Sequence, residues 1–160
     1  MDVIDINGKK LGFINDLLLN FSKRKVVGFN IRSTSLIKKD TNVLSEDVIS
    51  FNSVMVTIKT VNGNFLKFKD VKGIDVKDKK GGIVGMLEDI LFDERDFSIS
   101  SAVVSTGFIT NFIYGKKIIL LNELILGEKS LFYNIRNENL SFSSIPHKLF
   151  IEDDLNEKSE

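Results

Sequence analysis

The residue types that most often perform chemistry in proteins are scarce in this chain of 160 residues. It has no cysteine, which removes disulfides, thiolate metal ligands and thiol nucleophiles together. Its single histidine, His147, follows serines and a proline, but a general base needs a positioned partner and no Gly-x-Ser-x-Gly element occurs. We therefore interpret His147 as an ordinary surface side chain, and we expect the protein to have no catalytic residues.

Four aspartates recur at matching positions of a repeated motif. Hard cations such as Ca²⁺ prefer oxygen ligands, so a pair of cation sites is one interpretation. The Asp-x-Asp-x-Asp spacing of a calcium loop is absent, which favours the alternative that the carboxylates bond backbone amides at turns and strand bends. We therefore expect no metal and no other cofactor. The four residues are Asp5, Asp16, Asp78 and Asp89.

These aspartates belong to an internal repeat. Residues 5–16 and 78–89 align at an offset of 73 positions, and the match continues to the last short strand of each copy at an offset of 76. Three extra residues must therefore lie in the second copy, near 107–115. A period this long predicts two copies of one supersecondary unit. The residues that we expect to shape its backbone are Gly8, Gly12, Asp16, Gly81, Gly85 and Asp89.

Each copy has the pattern of short strands separated by turns. Asn7-Gly8 and Gly81-Gly82 predict tight hairpins, the first with a type I′ turn. Gly12 and Gly85 lie inside strands, where a glycine indicates a bend, a bulge or a close backbone approach. The alternative is that the backbone at these glycines contacts a ligand. Short strands at even spacing favour an antiparallel barrel or sandwich, with only short helical turns.

Smaller features complete this organisation. Residues 45–48 predict one helical turn capped by Ser45, and its counterpart in the second copy would be capped by Asn122. Residues 65–68 predict an extra strand that opens the second copy, for which the first copy has no equivalent. We hypothesise that residues 140–142 fill that edge of the first copy.

Composition limits the classes of protein to consider. We predict a first domain at residues 1–60, a second at 65–150 and a polar, acidic tail at 151–160. Lys+Arg equals Asp+Glu at 22 each, so no overall charge favours a polyanion or a membrane surface. No apolar run reaches the roughly 18–20 residues of a membrane span, and no signal peptide is evident. These features lead us to expect a cytoplasmic protein.

The repeated pattern Asp-x-x-Gly-x-x-apolar-Gly-apolar-apolar-x-Asp, followed by a Val-rich strand and Glu-Asp-Val-Ile, resembles the PRC-barrel family. That family includes the barrel of the photosynthetic reaction centre H subunit and the C-terminal domain of a ribosome maturation factor. The resemblance covers residues 1–59 and 65–136. It implies an all-β protein of two tandem small antiparallel β-barrels, without a shared active site, that serves in binding and assembly. The chain departs from the pattern at the missing first strand and at the insertion near Phe108.

The insertion carries the apolar segment 108–114. A helix capped by Thr106 would gather side chains four residues apart on one face. That face either covers the end of a barrel or the groove between the two copies, or it forms an exposed patch that binds a partner or a second copy of the chain. The predicted partner-binding residues are Phe108, Ile109, Phe112 and Ile113.

We therefore expect a non-enzymatic interaction or assembly module whose partner is another protein, with a homodimer as a further expectation. The alternative from a different class is binding of RNA or a ribosome precursor through the lysines at two hairpin tips, Lys9-Lys10 and Lys79-Lys80. Acidic residues close in sequence and the absence of tryptophan weaken that alternative.

Overall fold

The computed structural model describes residues 1–35, 37 and 39–134, and the backbone of residues 142 and 143. Within that part the chain is mostly β-strand, with few helical residues. Its strands form two sheets, and each sheet corresponds to one copy of the repeat.

Six strands of the described chain form the first sheet, in the spatial order β4-β3-β2-β1-β6-β5. A 3₁₀ turn at Ser45–Asp47 joins β4 to β5. The strands are β1 (Asp2–Asp5), β2 (Lys10–Asn20), β3 (Lys25–Arg32), β4 (Thr41–Leu44), β5 (Val48–Phe51) and β6 (Val54–Thr57).

The second sheet contains seven strands of the described chain, in the order β11-β12-β7-β8-β9-β10-β13. Helix α1 (Phe68–Val71) precedes it, helix α2 (Phe108–Tyr114) joins β9 to β10, and a 3₁₀ turn at Leu121–Glu123 follows β10. The strands are β7 (Asp75–Lys77), β8 (Ile83–Phe92), β9 (Ile99–Ser105), β10 (Lys117–Leu120), β11 (Leu124–Leu126), β12 (Ser130–Tyr133) and β13 (Phe142–Ser143).

The strand order of the two sheets confirms the internal repeat, because β7–β12 occupy the same relative places as β1–β6. The expectation of purely antiparallel sheets is wrong in one place in each copy. β6 pairs in parallel with β1, and β12 pairs in parallel with β7. The chain crosses from β4 through the 3₁₀ turn and the β5–β6 hairpin, so the last strand returns in the direction of the first. Alternating hydrophobicity does not record strand direction.

The predicted type I′ turn is also wrong. Gly8 has φ of +78°, but Asn7 is not among the residues with positive φ. The turn is centred one residue earlier, because the Gly8 amide donates to the Asp5 carbonyl at 3.0 Å. The Asp5 carboxylate accepts hydrogen bonds from the amides of Asn7 and Lys9, each at 2.9 Å, and this stabilises the earlier turn.

The second copy repeats this turn. The Gly81 amide donates to the Asp78 carbonyl at 3.0 Å, and the Asp78 carboxylate accepts from the amides of Lys80 and Gly82, each at 2.8 Å. Asp5 and Asp78 therefore bond turn amides in both copies, as the sequence predicts.

The glycines inside strands lie where two backbones approach closely. A Cβ placed on Gly12 would lie 2.0 Å from the carbonyl oxygen of Arg32, and one on Gly85 would lie 2.5 Å from that of Ser105. Both contacts are closer than real Cβ atoms tolerate. The prediction of a close backbone approach is confirmed in both copies.

The inner aspartates mark a bulge in each long strand. The pairing of β2 with β3 shifts between Ile14 and Asp16, and that of β8 with β9 shifts between Leu87 and Asp89. The carboxylate of each aspartate accepts a hydrogen bond from the next backbone amide at 2.8 Å. The prediction that these carboxylates bond backbone at a strand bend is confirmed.

The helical turns before β5 and β11 are present, but their predicted caps are wrong. Leu44 and Leu120 occupy the N-cap positions, and neither turn has a side-chain cap. Ser45 and Asn122 lie inside the turns instead. A turn this short satisfies its few amides without a capping side chain, and the chain enters it directly from a strand.

Two expectations about the edges of the sheets are also wrong. Residues 65–68 do not open the second sheet, because Leu66 and Lys67 meet β2 of the first sheet and Phe68 begins α1. Phe142 does not fill an edge of the first copy, because it pairs with Ile118 of β10. Residues 140 and 141 lie outside the described part.

The two sheets meet through equivalent turns. The Val26 amide donates to the Phe97 carbonyl at 2.9 Å, and the Ile99 amide donates to the Arg24 carbonyl at 2.8 Å. Val26 and Ile99 are equivalent positions of the repeat, and so are Arg24 and Phe97. Each bond is therefore the counterpart of the other, and the junction has approximate two-fold symmetry. Phe97 also packs its ring against Phe29, at a centroid distance of 5.5 Å. Buried side chains of both sheets form one hydrophobic cluster.

The close approach at Gly12 predicts a large cost for any side chain there. Gly12→Ala should lower the free energy of unfolding by about 2–3 kcal/mol, because the carbonyl of Arg32 cannot move without breaking the β2–β3 ladder. The measurement is chemical denaturation. Gly81→Asn is the control, since Gly81 is exposed, has open space around its Cα, and asparagine tolerates positive φ. A cost at Gly12 no larger than at Gly81 would contradict the proposed steric constraint.

The aromatic contact at the junction predicts that Phe97 stabilises both sheets. Phe97→Ala should lower the free energy of unfolding by about 3 kcal/mol, because it removes a large ring that meets both Phe29 and Phe51 edge-on. Phe132→Ala, at a ring that is 45% exposed in the second sheet, should cost less than about 1 kcal/mol. Equal shifts of the two denaturation midpoints would show that the junction contributes little.

Candidate functional site

Helix α2 lies where the two copies differ in length. It lies in the insertion that changes the repeat offset from 73 to 76. None of its side chains is buried. Phe108 is 87% exposed and Phe112 is 70% exposed, and Ile109, Ile113 and Tyr114 are exposed as well. Of the two predicted roles for this face, the structure agrees with the exposed patch, because the described residues leave the face uncovered.

A polar side chain and two glycines hold α2 in place. Gly107 and Gly115 flank the helix with φ of +118° and +78°. The Asn111 carboxamide accepts hydrogen bonds from the Thr106 amide at 3.0 Å and hydroxyl at 3.2 Å, and it donates to the Ser105 hydroxyl at 2.7 Å. The predicted Thr106 cap is wrong, since Gly107 occupies the N-cap position and Thr106 bonds Asn111 instead. The helix is thus fastened to the end of β9.

A cavity of about 590 Å³ lies between α2 and β8, and we call it the α2 groove. Phe108 and Phe112 form its helical wall, and Met86 and Leu87 form part of its strand wall. Its volume is in the range of sites that accept a small molecule or an anchoring side chain of a partner protein. The residues that line it are Lys72, Gly73, Met86, Leu87, Glu88, Ser105, Phe108, Asn111, Phe112 and Lys116.

One ion pair lies at the rim of the α2 groove. Lys116 Nζ contacts Glu88 Oε1 at 2.6 Å, and both side chains are more than a third exposed. Glu88 is the residue at the β8 bulge, and its counterpart in the first copy is Asn15. Asn15 instead donates a hydrogen bond to Asn30 at 3.1 Å. The charged rim therefore belongs to the second copy alone.

The shifted pKa values lie away from the α2 groove and have local causes. A hydrogen bond from the Arg95 side chain lowers the pKa of the Asp93 carboxyl to about 2. A hydrogen bond from the Ser98 side chain lowers the pKa of Asp96. Burial raises the pKa of the Tyr133 phenol. Asp93 and Asp96 belong to the exposed β8–β9 turn, where such bonds stabilise the turn.

The remaining candidate sites are dispersed. Among residues 1–35, 37 and 39–134, no group of three histidines or carboxylates is placed to hold a metal ion. The Lys9-Lys10 and Lys79-Lys80 tips lie at the ends of β2 and β8 opposite to the turns that join the sheets. Lys10 Nζ is paired with the Asp2 carboxylate at 2.6 Å. His147 and the predicted tail at 151–160 lie outside the described residues.

Several residues of the α2 groove were not predicted from the sequence. The change of repeat offset marks α2, but no pattern indicates that Met86 and Glu88 of β8 would face it. Asn111 carried a weak signal, because Asn111 and Thr110 are polar residues between the two apolar pairs of the segment. No sequence pattern singles out Lys116 as a partner of Glu88.

No family model matches the chain, and no curated protein matches it by sequence. No helix within the described residues has the length and apolar character needed to cross a membrane. The geometry of the α2 groove is therefore the basis on which a function can be proposed.

The exposure of Phe108 predicts that a charge is tolerated there. Phe108→Asp should change the free energy of unfolding by no more than about 0.5 kcal/mol, because the aspartate side chain stays in water. Phe29→Asp is the contrasting control, since Phe29 is fully buried and an unpaired carboxylate there should unfold the chain. Circular dichroism and denaturation midpoints measure both. Unfolding of the Phe108 variant would show that the helix covers the core.

Proposed function

We propose that this chain is a non-enzymatic protein-interaction or assembly module and that its partner protein binds at the α2 groove. We further propose that the copies, at residues 1–60 and 65–150, are two PRC-barrel-like domains. Each sheet, with its bent long strand and its returning parallel strand, would form the wall of one small barrel. The proposed setting is the cytoplasm, in keeping with a cysteine-free chain.

The observation that carries this proposal is the exposed apolar face of α2. Four apolar side chains, from Phe108 to Ile113, are each at least 55% exposed on one seven-residue helix. Contiguous apolar exposure of this kind is unusual on a protein that works alone, and it commonly marks an interaction site. The helix is also anchored by Asn111, so a partner would meet a preformed surface.

The composition of the α2 groove favours a protein partner. Aromatic side chains make up its helical wall, and such residues dominate the binding energy of protein interfaces. The Glu88–Lys116 pair at the rim presents both charges, which suits a polar rim around an apolar centre. A second copy of the chain is one such partner, and the homodimer stays a proposal at the same surface.

An enzymatic role has little support in the α2 groove. Its titratable residues are Lys72, Glu88 and Lys116, and two of these neutralise each other in an ion pair. A general acid–base pair needs groups with separated pKa values that are aimed at a substrate. The alternative of RNA binding through the hairpin tips gains no support either, because Lys10 is already paired with Asp2.

The test is capture of binding proteins from an extract of the source cells on the immobilised full-length chain. Phe108→Asp/Phe112→Asp should reduce the captured partner at least tenfold, because both aromatic anchors of the groove become charged. Ile125→Asp/Phe132→Asp is the matched control, since it adds the same charge at two exposed apolar residues of the same sheet. This control variant should bind as the unchanged chain does.

Two results would overturn the proposal. One is an equal loss of the captured protein in both double variants, which would show that the added charge reduces binding wherever it is placed. The other is a captured fraction that nuclease treatment removes or that falls steeply with salt, which would favour the RNA alternative.

A further inference from the structure

The long strand of the first sheet is covered in both of its halves on the side that faces away from β3. Its first half pairs with β1. Its second half meets the segment before α1, where Leu18 faces Lys67 and the Leu19 amide donates to the Leu66 carbonyl at 2.8 Å. This cover leaves Leu18 with no exposed surface.

The equivalent half of β8 lacks such a cover among the described residues. The 73-residue offset places Leu91 and Phe92 where the first copy has Leu18 and Leu19. β7 and the residue before it, Ile74, pair with β8 only as far as Leu87. The Leu87 amide donates to the Ile74 carbonyl at 3.0 Å. Leu91 is 44% exposed. A strand edge that presents apolar side chains and free backbone groups is a site for another strand.

Phe142 occupies in the second copy the place that Val61 occupies in the first, so the residues after each can be compared. In the first copy, Val61 pairs with Asn42 on β4, and five residues later Leu66 covers β2. In the second copy, Phe142 pairs with Ile118 on β10, at the place equivalent to Asn42. Residue 149 is seven positions beyond Phe142. The stretch from 142 to 149 is therefore two residues longer than the stretch from 61 to 66. At roughly 3.3 Å per residue, it is long enough to make the same crossing.

The sequence there repeats the covering segment. Residues 149–153 read Leu-Phe-Ile-Glu-Asp, and residues 66–70 read Leu-Lys-Phe-Lys-Asp, so both have apolar residues first and third and an aspartate fifth. In the first copy, Leu66 and Phe68 pack against the core, and the Asp70 carboxylate accepts the Lys67 amide at 3.0 Å. Residues 149–153 lie outside the described part.

We propose that the edge of β8 at Leu91 and Phe92 is a strand-acceptor site and that its occupant is the chain's own segment 149–151. Leu149 would take the place of Leu66, and Phe150 would face Leu91 as Lys67 faces Leu18. The second copy would then be completed by the same device as the first, with a segment that follows it in the chain.

An engineered disulfide tests this pairing directly, because the chain has no cysteine of its own. Leu18 and Lys67 form a non-hydrogen-bonded antiparallel pair, flanked by the Leu19–Leu66 bond, and such pairs bring Cα atoms within about 4.5 Å. That separation suits a disulfide. Leu91→Cys/Phe150→Cys should therefore close an intramolecular disulfide on mild oxidation, with the monomer as the main product.

The control pair is Ile83→Cys/Phe150→Cys. Ile83 lies at the other end of β8 and is 65% exposed, so its cysteine is accessible but distant from the site. We expect this pair to close at least tenfold more slowly. Equal rates would overturn the proposal, and so would disulfide-linked dimers at low protein concentration, which would identify a second copy as the occupant.

A second measurement needs no cysteine. Leu149→Asp/Ile151→Asp in the full chain should speed hydrogen exchange of the Phe92 amide at least tenfold, because the occupant no longer packs on the edge. The Leu19 amide, whose partner Leu66 is unchanged, serves as the internal reference. Unchanged exchange at Phe92 would overturn the proposal.

Discussion

The arrangement of strands depends on one constraint, which is the absence of a side chain at Gly12 and at the equivalent residue Gly85. The first half of β2 must pair with β1 while its second half continues along β3, and the Arg32 carbonyl closes to within 2.0 Å of the place a Cβ would occupy. Only glycine permits that approach. The second copy has the same contact between Gly85 and Ser105, so one steric rule shapes both sheets.

Much of the fold could be predicted from the sequence because the same local sequence patterns occur in both copies of the repeat. The close approaches at the strand glycines and the backbone hydrogen bonds of the turn aspartates follow from local patterns that the structure confirms. Strand direction could not be predicted, because the parallel return of β6 beside β1 depends on a long crossover and leaves no periodic signal. The turn at Asp5 was placed one residue late, since the carboxylate competes with the preference of Asn7-Gly8 for a type I′ turn.

The candidate site was predictable only in part. The change of repeat offset and the four apolar residues of the insertion were enough to identify α2 as the candidate site. The strand wall of the α2 groove and the Asn111 anchor arise from tertiary packing. That packing brings residues such as Met86 and Phe108, which are far apart in sequence, to the same groove. The junction between the sheets was not predicted either, because Phe97 contributes through a contact with Phe29 that no local pattern indicates.

The two copies differ where we place the function. Both share turns, bulges and glycines that serve the backbone, while among the described residues only the second copy has α2 and the Glu88–Lys116 pair. A duplicated scaffold with one elaborated copy suits a protein whose role is to present a surface. Such a surface needs a rigid support, and the Asn111 hydrogen bonds to Ser105 and Thr106 supply one.

Hydrogen exchange across the whole chain, compared between the free protein and its complex with the captured partner, tests the central claim most directly. The account predicts that protection concentrates in residues 105–116 and in the facing part of β8. Protection concentrated at the hairpin tips near residues 9 and 79, with α2 unchanged, would contradict it.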